Sequence, residues 1–331
     1  MGLESWKRTH YTSEITPEMD GEEIVLAGWI KEIRDLGGIK FFILRDKEGT
    51  IQITVPKDEV DEHIIETAED LQRQDCVSVR GTVRRMDKAP RGVEVIPKNI
   101  VVLNSAKQPL PLDITGRTPA DIDSRLDVRV LDLVRDENLA IFKIRHTALE
   151  ATREFFSKNG FLEIHTPKII ATATEGGANL FPIMYFEREA FLAQSPQLYK
   201  EQLVIDFERV YEIGPTFRAE KSHTRRHLTE FISIDIEMAF ATAEDVMEVA
   251  EKLIQHVCKA VNEKCRKELE ILKHKVEVPK IPFKRLTYDE VINELKEIGM
   301  EIHWGEDIPT AAYRALGKMH PYFYFIIDWP T

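Results

Sequence analysis

Phe217–Glu237 reads FRAEKSHTRRHLTEFISIDIE, a run that gathers opposed charges around what its flanks make a hairpin. Arg209–Arg218 and Phe231–Phe240 are long β-runs. In the second, Ile232, Ile234, Ile236, Met238 and Phe240 alternate with Ser233, Asp235 and Glu237, so one face is expected to be core and the other polar. If the two runs pair antiparallel, the loop Lys221–Leu228 offers Lys221, Arg225, Arg226 and two histidines at its tip, a cationic clamp suited to a polyphosphate. Arg218 sits at the mouth of that loop, where a planar fork can hold a carboxylate and a phosphate together. A reaction between two such anions needs positioned cations that strengthen in the transition state, and Arg218 fits that role. A cross-strand salt-bridge ladder on a solvated face accounts for Arg218, Glu220, Asp235 and Glu237 as well, but leaves the basic loop unexplained.

Working outward, Ile141, Ile144, Ala148, Ala151 and Phe155 recur at helical spacing and Asn159-Gly160 supplies a stop, so a helix precedes a short strand at Phe161–Ile164. Downstream, Thr242 with Asp245 and Thr287 with Glu290 form capping boxes, the second reinforced by a Leu286/Val291 staple and ended at Gly299. The first hundred residues differ in kind. Short β-runs at Ile24–Ile33, Ile39–Asp46, Thr50–Val55, Cys76–Arg84 and Gly92–Leu103, with one helical stretch near Asp58–Leu71, suit a small closed barrel. A helix between the third and fourth strands is the oligonucleotide-binding (OB) arrangement, although strand counting alone fits several small barrels. Lys107–Pro119 carries three prolines and breaks both periodicities, so it reads as an inter-domain connection. The expected fold is α+β: a barrel over residues 1–105, a hinge over 106–136, and an antiparallel-sheet domain with flanking helices over 137–331.

A chain of 331 residues with 43% hydrophobic content can fill two cores. Its net charge of −12 argues against a protein that coats nucleic acid through bulk positive charge. Cys76, Cys258 and Cys265 form no CxxC pair, which excludes a disulfide framework and a cysteine-rich zinc site. With neither an apolar run of about 20 residues nor a signal-peptide core, the chain reads as soluble and cytoplasmic, with no membrane partner. Residues 1–105 hold 15 basic and 20 acidic side chains, so any nucleic acid must meet local patches. Lys31, Arg34, Lys40 and Arg45 on the first two strands and Arg84, Arg85, Lys88 and Arg91 between the last two are candidates for a basic rim. Phe41 and Phe42 must face opposite ways, which leaves one as a stacking platform and one as core.

FRAE, then RHLTEF, then DIE resemble motif 2 of the class II aminoacyl-tRNA synthetases. Gly160–Ala178 (GFLEIHTPKIIATATEGGA) is similar to motif 1 and its following loop, and Gln194–Lys200 (QSPQLYK) to the amino-acid pocket of aspartyl-tRNA synthetases. Ala27–Val55 (AGWIKEIRDLGGIKFFILRDKEGTIQITV) resembles the anticodon-binding barrel of the same class IIb subgroup, and the wording is nearest the archaeal type. The resemblance implies ATP-dependent activation of L-aspartate to aspartyl-adenylate and its transfer to the aspartate tRNA, with the asparagine tRNA as a second candidate acceptor. It implies that Arg218 is catalytic, meeting both the α-phosphate and the substrate α-carboxylate. It puts Glu220 on the adenine amino group, Phe231 against the adenine face, and Arg226 and His227 on the outer phosphates, with Ala219 and Leu228 completing the ATP site. For aspartate it implies Lys200 on the side-chain carboxylate, Gln197 on the polar groups, Asp235 on the ammonium, and Glu175, beside Gly176-Gly177, in a closing loop, with Leu198 and Tyr199 in the same pocket. In the barrel it implies Phe41 under the middle anticodon base, Arg34 and Gln52 on base edges, Glu94 at another anticodon position, and Lys31 and Pro90 near the wobble base. A homodimer with Pro167 near its interface follows as well. Mg²⁺ is implied beside ATP.

No stretch resembles the family's motif 3, which carries a second ATP-binding arginine and the acidic Mg²⁺ ligands, so the chain is expected to be a fragment truncated before that motif. A tRNA-binding relic without activation chemistry and an asparagine-specific paralogue are the competing readings. Lys200, a cation facing the amino-acid side chain, argues against the second.

Overall fold

The computed structural model describes residues 6–172, 180–220 and 228–330. By their contacts the residues fall into two compact units, Met1–Arg135 and Asp136–Thr331.

In the first unit, β1 (Glu23–Asp35), β2 (Ile39–Arg45), β3 (Thr50–Pro56), β4 (Cys76–Arg85) and β5 (Val93–Asn104) close into a barrel of order β1-β2-β3-β5-β4. Helix α1 (Glu62–Asp70) lies between β3 and β4, which is the OB arrangement. It starts after the expected Asp58, because Asp61 is its N-cap residue and the preceding residues form a turn. Alternation decides what fills the barrel: Ile24, Leu26, Ile30, Phe42, Leu44, Ile53, Val77, Val79 and Val95 are all buried in one cluster. Close strand crossing demands glycine at two places. A Cβ on Gly28 would lie 2.3 Å from the Arg45 carbonyl oxygen, and one on Gly81 2.5 Å from that of Ile96.

Two members of the expected basic rim are spent inside the unit. The Arg91 guanidinium donates to the carbonyls of Thr12 (2.8 Å), Ser13 (3.0 Å) and Ile15 (2.6 Å), pinning the N-terminal segment onto the barrel. Lys40 is buried, and its Nζ donates to the Glu69 carbonyl at 3.2 Å. Both cations are engaged by carbonyls of their own unit and not arrayed for a phosphate.

Residues 106–135, expected as a hinge, group with the barrel. Leu112 and Ile114 are buried there, and the Asp113 carboxylate between them accepts from Thr115 N (2.9 Å), Thr115 Oγ1 (2.7 Å) and Thr118 N (2.8 Å). The short helices α2 (Ile122–Asp127) and α3 (Arg129–Asp132) bring Asp132, fully buried, between Arg125 (Nε to Oδ1, 2.7 Å), Arg129 and Arg135 (3.8 Å). These contacts hold the Asp113 carboxyl below the usual carboxylate range, chiefly through the Thr118 N–H and Thr115, and that of Asp132 likewise, through the Arg125 hydrogen bond against the opposing cost of burial. A carboxyl depressed in the folded state contributes stability above its unfolded pKa of about 4 and loses it as pH falls from there through the folded value. Urea denaturation followed by tryptophan fluorescence is therefore expected to show stability level between about pH 7 and 5 and falling below about pH 4, with a shallower fall in Asp132→Asn. An identical acid slope in the variant would remove Asp132 from that account.

In the second unit α4 (Asp136–Lys158) buries Ala140, Thr147, Ala151, Phe155 and Phe156; Ile141, expected on the apolar stripe, is exposed. Short strands follow: β6 (Leu162–Glu163), β7 (Ile169–Ile170), β8 (Pro182–Tyr185) and β9 (Arg188–Leu192), the last three forming a sheet of order β7-β9-β8. Helix α5 (Gln197–Phe207) leads into β10 (Arg209–Phe217), which pairs in parallel with β6 and antiparallel with β11 (Glu230–Met238). Register places Glu212 opposite Asp235, Thr216 opposite Phe231 and Ile213 opposite Ile234. One face of this hairpin, through Tyr211, Ile213, Ile236 and Met238, joins a core with Phe155 and Phe156 of α4 and with Val249 and Leu253 of α6 (Ala243–Lys264). That cover ends short of Ile232 and Ile234. Both are exposed where the alternation expected core, and Phe240 lies beyond the strand in solvent. Burial pushes the Tyr211 hydroxyl up to about 12, aided by its 2.9 Å bond to Glu163.

Beyond α7 (Arg266–Ile271), β12 (Lys284–Thr287) pairs in parallel with β13 (Tyr324–Ile327). Helices α8 (Tyr288–Glu297) and α9 (Thr310–Met319) close a small core of Leu286, Tyr288, Val291, Leu295, Ala312 and Leu316. Both expected capping boxes are formed, at Thr242/Asp245 and Thr287/Glu290.

Candidate active site and oligonucleotide cleft

Lys200 is the centre of the first site. It lies one turn into α5, with Gln197 three residues earlier on the same helical face. The lysine is buried, and its Nζ donates to the Ile236 carbonyl at 3.2 Å, 3.4 Å from Asp235 Oδ1 and 3.6 Å from Glu237 Oε2. Gln197 donates to Glu201 Oε1 at 2.7 Å and stands 3.5 Å from Glu237 Oε2. Between them Tyr199 is half-buried, and Leu198 is exposed. One ammonium thus faces two carboxylates, an arrangement complementary to a small ligand that carries both signs of charge.

The polar face of β11 continues this surface. Phe231, Ser233, Asp235 and Glu237 alternate onto one side of the strand, so Phe231 is half-exposed on the site's own face and does not belong to the core. Arg218 is the first residue past β10; its N–H donates to the Thr229 carbonyl at 3.0 Å, which closes the mouth of the loop, and its guanidinium carbon lies 5.6 Å from the centre of the Phe231 ring. Ala219 and Glu220 follow half-buried, the Glu220 N–H donating to the Arg218 carbonyl at 2.8 Å, and Leu228 is exposed on the far side. Glu175, Arg226 and His227 lie outside the described residues, as do Lys221 and Arg225.

Two carboxylates of this region have partners that the sequence does not reveal. Glu237 was read only as part of a charge pattern, yet it is the second carboxylate on Lys200. Glu212, directly opposite Asp235, is buried and accepts from Thr166 N (3.0 Å) and Thr166 Oγ1 (2.7 Å), with Lys168 Nζ at 2.8 Å. It braces the turn around Pro167 against β10, and Pro167 itself is exposed. Strand alternation with the register would have placed Glu212 on the site face; its partners 46 residues away carry no local signal.

The barrel holds the second site. Arg34, Phe41, Gln52, Pro90 and Glu94, the five candidate base readers, line one cleft of about 400 Å³ together with Glu32, Thr54, Arg84 and Lys88. Phe42 is in the core, so its neighbour Phe41 is the half-exposed ring on the cleft wall. Arg34 is exposed and 3.4 Å from Glu32 Oε2. Glu94 lies at the base, only 1% exposed, within reach of Arg84, Gln52 and Thr54. An aromatic platform ringed by donors and acceptors is the equipment for holding a splayed single-stranded base.

Comparison with known proteins places both units. Residues 121–331 match the family of class II tRNA synthetases for D, K and N, and residues 24–103 match the OB-fold nucleic acid binding domain. The aspartate–tRNA(Asp/Asn) ligase of Methanopyrus kandleri is 55% identical over 97% of this chain and 75% of its own length. The aspartate–tRNA(Asp) ligase of Thermococcus kodakarensis is 51% identical over 98% of this chain and 76% of its own. Among solved structures, asparaginyl-tRNA synthetase from Pyrococcus horikoshii complexed with asparaginyl-adenylate superposes with a TM-score of 0.91 at 34% identity, covering 98% of this chain and 75% of that one. With the family matched over most of the chain and relatives at such identity along nearly all of it, the chain belongs to the class II tRNA synthetases of the D, K and N group.

Proposed function

We propose that this protein is an aspartate–tRNA ligase, which activates L-aspartate with ATP and transfers the aspartyl group to the aspartate tRNA. The observation that carries this reading is the buried Lys200 ammonium facing Asp235 and Glu237. An aspartate zwitterion offers its side-chain carboxylate to Lys200 and its ammonium to Asp235, so each charge meets its complement; the asparagine amide offers Lys200 no charge. Relatives named as aspartate–tRNA ligases support the same substrate.

In the first step an aspartate α-carboxylate oxygen bonds to the α-phosphorus of ATP, and the bond to the pyrophosphate oxygen breaks. Arg218 bridges the two anions, with Phe231 as the adenine platform, Glu220 accepting from the adenine amino group, and Ala219 and Leu228 flanking the nucleotide. Arg226 and His227 are assigned to the outer phosphates and Glu175 to closure over the amino acid. In the second step a ribose hydroxyl of the tRNA attacks the aspartyl carbonyl and AMP leaves with the bonding pair. Mg²⁺ is the proposed companion of ATP. Among the described residues no group of three or more His, Cys, Asp or Glu side chains is placed to hold a metal ion, so the residues described do not form its cage and no step is assigned through it.

The barrel is assigned to the anticodon, with Phe41 stacking the middle base, Arg34 and Gln52 on base edges, and Pro90 and Glu94 in the same cleft. We place the protein in the cytoplasm as a homodimer with the exposed Pro167 turn near its interface; sedimentation of a monomer alone at micromolar concentration would remove the dimer.

The test is ATP–pyrophosphate exchange by the full-length gene product carrying residues 1–331, with aspartate and asparagine supplied separately. Exchange with kcat/KM for aspartate at least about 100-fold above that for asparagine is expected, since a neutral amide forgoes the charge-assisted contact with Lys200 that the carboxylate makes. Preference for asparagine would overturn the substrate. Aminoacylation of the aspartate and asparagine tRNAs side by side then sets the tRNA range.

A further inference from the structure

We propose that Arg84 is a positioning residue for base selection: through Glu94 it locks the Gln52 amide so that only its carbonyl oxygen is left for a base. The inference rests on the assignment of the barrel cleft to the anticodon.

Arg84 was expected on a basic rim, as a cation for phosphate. Its fork is instead consumed by carboxylates. Nε and Nη2 reach Glu94 Oε1 at 2.8 and 2.7 Å, and Nη1 reaches Glu59 Oε2 at 2.8 Å. The other oxygen of Glu94 accepts from Thr54 Oγ1 at 2.5 Å and from Gln52 Nε2 at 2.9 Å. Two donors on each oxygen fill the acceptor positions of a carboxylate, so Glu94, although it lines the cleft, has none left for a base edge. Its part in the cleft is to organise the groups around it.

The orientation of Gln52 follows from this chain of donors. Thr54 has one hydroxyl proton, which goes to Glu94, so toward Gln52 its oxygen can only accept; Glu94 also only accepts. Gln52 must therefore present Nε2 to both, at 3.2 Å from Thr54 Oγ1 and 2.9 Å from Glu94 Oε2. Both N–H groups of the amide are thereby used. Its Oε1 accepts from no described residue, and Gln52 is half-buried on the cleft beside Phe41. A base stacked on Phe41 and meeting this oxygen must bring a donor. The imino N3–H of uracil qualifies, whereas cytosine carries a bare acceptor at the same ring position.

Without the arginine, Glu94 loses its two strongest donors and is free to turn, and the amide can present either end. Discrimination between uracil and cytosine should then collapse even where the barrel and its stacking platform persist. A purely structural Arg84 would lower affinity for both bases together and leave their ratio unchanged.

The test uses the full-length protein and anticodon stem-loop hairpins that differ only in uridine or cytidine at the middle anticodon position, with binding read by fluorescence anisotropy at one salt concentration. The wild-type protein is expected to prefer uridine by about tenfold or more. Arg84→Met is expected to bring the ratio within about threefold, and Glu94→Gln, whose amide can meet either end of Gln52, to do the same. Should Arg84→Met fail to fold, Glu94→Gln reads the same lock. An unchanged ratio in a folded variant overturns the inference and leaves the anticodon assignment standing. Absence of any preference in the wild-type protein overturns the assignment of the cleft itself.

Discussion

Lys200→Met is expected to lower kcat/KM for aspartate in ATP–pyrophosphate exchange by about 10³-fold, about 4 kcal/mol, while moving KM for ATP by less than about threefold. Methionine keeps the length of the stem, so the substitution removes the charge and little packing. What remains is a half-buried surface with Asp235 and Glu237 and no cation between them. That surface repels the side-chain carboxylate of aspartate, and the loss should fall on the amino acid alone. Asparagine supplies the control: its amide carries no charge for Asp235 and Glu237 to repel, so its kcat/KM should hardly move and the wild-type preference for aspartate should be lost. Equal losses for aspartate and ATP would remove Lys200 from the amino-acid pocket and return it to a purely structural ion pair.

The barrel was legible because each strand has one face in a closed core. Period-two alternation marks the core face even though register shifts at Ile30/Glu32 and Arg80/Gly81 interrupt it, and the expected strands agree with the observed ones to within a residue or two. The same rule misplaced Ile232 and Ile234. Alternation tells which residues share a face but not how far the helices covering that face extend, and here the cover reaches Ile213 and Ile236 but not Ile234 or Ile232. It could say that Phe41 and Phe42 oppose each other, while only the barrel's closure determines which one is inside.

Charge was the least legible property. A sequence shows where cations lie along the chain, and their partners are set by the fold. Arg91 meets carbonyls more than 70 residues away, and Arg84 meets carboxylates 10 and 25 residues away. Read without those partners, both looked free for phosphate. Lys200 and Asp235, 35 residues apart, stand in two separate segments whose resemblance implies one pocket, and the fold brings the two side chains within 3.4 Å. Glu212, which no motif marked, stayed hidden although it occupies the same sheet face.

Arg218→Lys is expected to lower kcat of exchange by about 10³-fold with both KM values moved far less, because its work is done where the two anions meet. The residue leaves β10 where its own N–H fastens to Thr229, so the backbone at the mouth of the loop is fixed whatever the side chain is. The guanidinium stands over Phe231, with 5.6 Å between its carbon and the ring centre, on the face shared with Asp235 and Glu237. A planar fork there can donate to a phosphate oxygen and a carboxylate oxygen at once and keep its face against an aromatic ring. An ammonium is a point donor that must choose between the anions. In the ground state either anion is also solvated or bound by other groups, which is why affinity should suffer little. As the carboxylate oxygen closes on phosphorus, the two negative groups approach and only a donor common to both gains strength. Lys200 and Arg218 are thus separable by kinetics: loss of the first appears in the choice of amino acid, and loss of the second in turnover with whatever amino acid is bound. If Arg218 merely completed a cross-strand ladder, Arg218→Lys would keep the ion pair and turn over normally, with any deficit confined to the melting temperature.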